Sequence, residues 1–176
     1  MNQTFSSITN MPPNSLRAVM ANPDVPIKVK TEKIYEASKG VMKEFFENNT
    51  SEKILETSEE VMEMMEECMT TAEAGFHGIS EITSKDYYTY THSVNVGLYC
   101  MTFGVKSKMS KGDTRQLSLG GMLHDVGKSK IDHALINKDG KLTDEEFLKM
   151  QAHAAEGGQI LSGMHCFASN VVRMAS

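Results

Sequence analysis

From Thr31 onward, apolar residues recur at helical spacing, and polar or glycine-bearing breaks divide them into separate runs. Ile34, Tyr35, Val41, Met42, Phe45 and Phe46 make the first run, which Glu47-Asn48-Asn49-Thr50 interrupts. Thr50 or Ser51 can cap a second run, with Ile54, Leu55, Val61, Met62, Met64, Met65, Cys68 and Met69 apolar and the other face rich in glutamate. Two amphipathic helices joined by a short polar turn predict a helical hairpin over residues 31–78. Its apolar face has two possible uses, as a dimerising stalk or as a surface that packs on the following domain. Residues 1–30 hold all four prolines (Pro12, Pro13, Pro23 and Pro26) and little periodicity, so they read as an extended N-terminal arm.

Beyond the Gly75–Gly78 break, residues 79–176 form the third segment. Asp86 opens a helix that runs through His92, Val94, Val96, Leu98 and Met101. Lys111-Gly112-Asp113 reads as a turn, and a further helix spans Thr114 to about Val126, with Leu117, Leu119, Met122 and Leu123 apolar. Asn137-Lys138-Asp139-Gly140 is a strong turn signal. Thr143-Asp144-Glu145-Glu146 then has the form of a capping box, starting a helix that carries Phe147, Met150, His153 and Ala154. Gly157-Gly158 allows close packing or a bend, and Ile160, Leu161, Val171 and Val172 supply late apolar positions. No segment alternates strictly enough to be a strand. The expected fold class is all-α, a helical bundle without internal repeats.

Composition narrows the functional classes. Hydrophobic residues at 40% are sufficient for a real core. A formal net charge of −5 gives no general attraction to nucleic acid or anionic lipid, so a phosphate-bearing ligand would need local cations or metals. Cys68, Cys100 and Cys166 are odd in number and widely spaced, which suits buried thiols in a reducing compartment. The first residues lack a basic start followed by an apolar run, and no stretch approaches the ~18 apolar residues of a membrane span. The expected location is cytoplasmic. Fourteen methionines and no tryptophan fit flexible helix packing.

The chemistry concentrates in residues 120–132, GGMLHDVGKSKID. Of six histidines, most single ones on apolar helices are hydrogen-bonded core residues, but His124 stands beside Asp125. Neighbours on a helix are about 100° apart, so both can serve one point only where that helix approaches others. Aspartate offers two oxygens and can bridge two cations, while histidine offers one nitrogen. His92 and His153 lie on separate predicted helices either side and can supply further ligands. Lys128 suits the phosphate oxygens of a substrate; it equally suits a helix C-terminus, where the macrodipole favours a cation.

Asp86-x-Tyr88-Thr89-x-x-His92-Ser93, followed by Met122-Leu123-His124-Asp125-Val126-Gly127-Lys128, resembles the HD superfamily of metal-dependent phosphohydrolases, and more closely its HD-GYP branch. Ile131, Leu135 to Lys138, Gly140 to Thr143, Glu145, Glu146, Met150, His153, Gly158, Ile160 and Leu161 continue the resemblance in register, over about Asp86 to Leu161. It implies an HD-type helical bundle and metal-assisted hydrolysis of cyclic di-GMP at a centre of two divalent metals, usually iron or manganese. His92, His124 and Asp125 are implied as ligands of the first metal, with Asp125 bridging and catalytic. His153 is implied as a ligand of the second, and Lys128 as the catalytic contact to the substrate phosphate. Members with three metals have a glutamate four residues before the first histidine; Tyr88 stands there, against a third metal. Asp132 stands where proline is common.

The His-His-Glu and Asp-Gly-x-Gly-Tyr-Pro motifs that complete the branch are expected soon after Val172, and the residues to Ser176 do not reach them. The expectation is therefore of a partial, C-terminally truncated HD domain that supplies only part of a binuclear site and is inactive alone. Homodimerisation through the N-terminal helices or through exposed core is a further expectation. A second functional reading is a degenerate HD domain that serves as a helical interaction or sensing module without catalysis. His165 lies outside the family pattern. Residues 137–147, NKDGKLTDEEF, also resemble half of a calcium-binding EF-hand loop, but its first position would be Leu135, which has no ligand oxygen, and the capping box explains Thr143 and Glu146 without calcium.

Overall fold

A computed structural model describes residues 13–48, 52–71, 89–164, 168–174 and 176. Every regular element among them is helical. The expected extended arm is corrected where it is described, because Pro13 begins one helix and Pro26 immediately precedes another. Helix α1 spans Pro13–Ala21, with proline at its first residue, where a missing N–H costs nothing. Helix α2 spans Ile27–Asn48, and the Pro26 carbonyl before it accepts its first N–H, from Lys30, at 3.1 Å. Between them, Asn22 Oδ1 accepts from Asp24 N at 2.9 Å and closes a tight Asx turn.

Helix α3, Glu52–Thr71, folds back on α2. From α2, Ile34, Tyr35, Val41, Met42 and Phe45 are buried; from α3, Val61, Met62, Met64, Met65 and Cys68 are buried. They share one core with Val94, Leu98 and Met101 of α4 (Thr89–Lys106) and with Leu119, Met122 and Leu123 of α5 (Lys111–Leu123). The apolar face of the hairpin is therefore spent on the helices that follow it. Methionine fills much of this core because its unbranched thioether adapts to irregular gaps between helices. Arg115 of α5 also donates to the nearly buried Glu66 of α3 at 2.8 Å. That bond, with nearby Glu63 and Glu67, raises the Arg115 pKa against the opposing effect of desolvation. Burial pushes the Cys68 thiol up to about 11 and raises that of Cys100; both are free thiols.

Two boundaries differ from the periodic pattern. Lys111-Gly112-Asp113 is the first turn of α5, because Ser110 caps the helix and its Oγ accepts from Asp113 N at 3.1 Å. The real break lies earlier, at Lys108, whose φ of 56° ends α4. There Lys108 N donates to Val105 O and Met109 N to Gly104 O, the paired bonds of a Schellman stop. At its other end α5 stops at Leu123, short of the expected Val126. A 3-10 helix follows over Val126–Lys130, then the single turn α6, His133–Ile136. Asp132 caps α6, its Oδ1 accepting from Ala134 N at 2.8 Å, which accounts for an aspartate at that position.

Gly140, at φ 91°, makes the expected turn before α7, Asp144–Gly163. The capping box forms as read: Thr143 Oγ1 accepts from Glu146 N, and Glu146 Oε2 accepts from Thr143 N at 2.8 Å. The same carboxylate oxygen binds the Lys138 ammonium. A short helix α8, Ser169–Met174, packs on α5 and α7.

Candidate metal centre

Helix α5 ends in the core, and that ending positions the site. Leu119, Met122 and Leu123 anchor its last turns, so His124 at the C-cap and Asp125 just beyond emerge beside α4, which packs on α5, and at the start of the 3-10 helix, which packs on α7. Asp125 is the centre of the cluster, its side chain 4% exposed. His124 Nε2 lies 3.4 Å and His92 Nε2 3.8 Å from its Oδ2. His153 Nε2 lies 3.6 Å from its Oδ1, and Lys128 Nζ 2.6 Å from Oδ2. The structure thus brings together all five residues singled out in the sequence. His77 and His165 lie outside the described residues, and His133 is exposed on α6.

Two backbone carbonyls decide how the imidazoles face. His124 Nδ1 lies 2.7 Å from Gly121 O, and His153 Nδ1 lies 2.6 Å from Met150 O. A carbonyl can only accept, so each Nδ1 donates to it, and each ring turns Nε2 toward Asp125. Each Nε2 thus faces a carboxylate oxygen at 3.4 to 3.6 Å, the pairing that shares a cation. Nitrogen and oxygen donors so arranged fit a divalent transition metal. One candidate donor atom from each of His92, His124 and Asp125 lies within 4.8 Å of the others, and His153 presents its nitrogen to the second carboxylate oxygen. His92, with a side chain 54% exposed, leaves one side of the cluster open to solvent. Its ring meets that of His124 edge-on, with centroids 5.3 Å apart.

The meeting of the 3-10 helix with α7 depends on Gly127. A Cβ built there would stand 1.8 Å from the His153 carbonyl oxygen and 2.5 Å from Gly157 N. Backbone approaches backbone at this point, and only glycine permits it. From sequence alone Gly127 reads as a place for the chain to turn; the structure gives it the separate task of bringing Asp125 and Lys128 alongside His153. The second glycine, Gly157 of α7, is equally buried at this contact.

The site is thus a His-Asp pair at the end of a core helix, with histidines from two flanking helices turned toward the aspartate. Residues 89–168 match the HD domain family. A cyclic di-GMP phosphodiesterase of Pseudomonas aeruginosa is 35% identical over 80 residues, which is 46% of this chain and 19% of that protein. A 3'3'-cGAMP-specific phosphodiesterase of Vibrio cholerae is 36% identical over 94 residues, 53% of this chain and 20% of that one. The chain thus spans about a fifth of the length of these curated relatives. An HDG"Y"P protein from Bdellovibrio bacteriovorus shares the fold, with a TM-score of 0.74 and 17% identity over 92% of this chain and 54% of that one. Among the described residues, no helix is long and apolar enough to cross a membrane.

Proposed function

We propose that this HD domain belongs to a metal-dependent phosphodiesterase of the HD-GYP branch that hydrolyses a cyclic dinucleotide, with cyclic di-GMP as the first substrate to test. The observation that carries the reading is the convergence of three histidine Nε2 atoms on the two oxygens of one buried aspartate. The relatives are named for cyclic di-GMP or 3'3'-cGAMP, which supports that substrate class.

His92, His124 and Asp125 would hold one divalent metal, and Asp125 with His153 would contribute to a second. Iron or manganese suits the mixed nitrogen and oxygen donors. Such metals supply Lewis acidity toward the phosphoryl oxygens and lower the pKa of water. The chain's own residues do the positioning. Gly121 O and Met150 O keep His124 and His153 in the tautomer that leaves Nε2 free. Asp125, held under the core, orients both of its oxygens. Lys128, with a side chain 25% exposed, lies beside the cluster and contacts the non-bridging oxygens of the scissile phosphate, lowering the cost of the charge that builds during attack.

The test is metal content by elemental analysis of protein purified without chelator, together with chromatographic assay of cyclic di-GMP turnover. Asp125→Ala should remove bound metal from this chain, and turnover together with metal in the phosphodiesterase that carries it. Wild-type protein that takes up no manganese or iron would refute the reading and leave the HD domain as a non-catalytic helical module.

A further inference from the structure

The two oxygens of Asp125 are not equivalent. Oδ1 faces His153, whereas Oδ2 is shared between the His92 and His124 side and the Lys128 ammonium. We propose that Lys128 competes with the metal for Asp125 Oδ2, so that an anion drawing the ammonium away tightens metal binding. The inference rests on the metal-dependent reading above and adds a control on how the site loads.

The geometry sets the competition. Lys128 Nζ stands 2.6 Å from Oδ2, and a coordinated divalent ion would stand about 2.0–2.2 Å from the same oxygen. The two cations would therefore lie within roughly 5 Å of each other, across one atom. A divalent ion and an ammonium so close repel by enough to change affinity at least ~10-fold, even with water-like screening. Lys128 can move without the backbone, because its charge sits on a flexible four-carbon stem whose side chain is 25% exposed. A phosphate or phosphonate oxygen offers the ammonium an equivalent charge-assisted bond. Moving Nζ from Oδ2 to that anion returns the carboxylate oxygen to the metal. By linkage, the anion then tightens the metal by the same factor as the metal tightens the anion.

Manganese titration of the full chain, read by the electron paramagnetic resonance of free Mn²⁺, tests this with methylphosphonate present and absent. Lys128→Gln should bind Mn²⁺ at least ~10-fold tighter than wild type without the anion, and should lose most of the tightening that methylphosphonate produces. Lys128→Arg, which keeps the charge, should stay near wild type. Lys128→Met serves if the glutamine variant does not fold, and melting temperatures establish which variants are folded. Equal or weaker Mn²⁺ binding by the neutral variants, with wild type still binding the metal, overturns the competition alone. If wild type binds no Mn²⁺, the proposed function falls with it. A methylphosphonate effect of full size in Lys128→Gln would show that the anion acts through the metal directly, and would also overturn the proposal.

Discussion

Gly127→Ala should damage fold and site together. The new Cβ would stand 1.8 Å from the His153 carbonyl oxygen, against 3.4 Å where ordinary contact begins, so the 3-10 helix and α7 must separate by more than an ångström. Neither side of the contact is a side chain that can rotate away. Overpacking a close-fitted core costs ~1–3 kcal/mol, and a backbone-to-backbone clash belongs at the upper end. At ~2–4 °C per kcal/mol for a chain of this size, the melting temperature should fall by about 6–12 °C. The same movement carries His153 away from Asp125 Oδ1, now 3.6 Å distant, so Mn²⁺ affinity should fall as well. Thermal melting by circular dichroism and a Mn²⁺ titration measure the two effects. Gly163→Ala is the control, since a Cβ on this helical glycine meets no heavy atom within 4 Å. It should be neutral or stabilise by up to ~1 kcal/mol. A Gly127→Ala protein that melts within about 2 °C of wild type would show that the close approach does not hold the site together.

Two further predictions concern the helix ends. Lys108→Gly should stabilise the chain by ~1 kcal/mol, because glycine adopts the left-handed conformation without the Cβ conflict that lysine suffers there; a denaturant midpoint at or below wild type would count against it. The Glu146 carboxyl is held down to about 2, first by its hydrogen bond to Lys138 and then by that from the Thr143 N–H. Its folded pKa lies below the ordinary 4.5, so its stabilising contribution is complete above pH 4.5 and vanishes as the pH falls toward 2. The stability difference between wild type and Glu146→Gln should therefore shrink over that window, and a difference independent of pH would refute the assignment.

Features that depend on a few adjacent residues were legible in the sequence. The Thr143 to Glu146 capping box and the Gly140 turn form as read, because their hydrogen bonds and backbone angle are local. The apolar spacing of α2 and α3 was equally legible, since burial of one helical face requires that period. Boundaries were harder. Pro13 and Pro26 read as marks of an irregular arm and instead start helices; which of the two a proline does depends on whether the following residues find a core, as Leu16 and Ile34 do. Lys111-Gly112-Asp113 read as a turn because the Ser110 cap and the Lys108 stop lie just outside it.

The site divides along the same line. By itself, the sequence determined which side chains are chemically able to act: the His124-Asp125 pair, Lys128 three residues after the aspartate, and His92 and His153 on helices either side. Tertiary structure decided what they face. His92 and His153 reach Asp125 only because α4 packs on α5 and α7 packs on the 3-10 helix that follows it, and that packing depends on burial across the whole core. The Gly127 approach to the His153 carbonyl, and the division of Asp125 into one oxygen for His153 and another shared with Lys128, are distances between segments remote in the chain. Local patterns specify torsions and caps, whereas such distances exist only once the helices have packed.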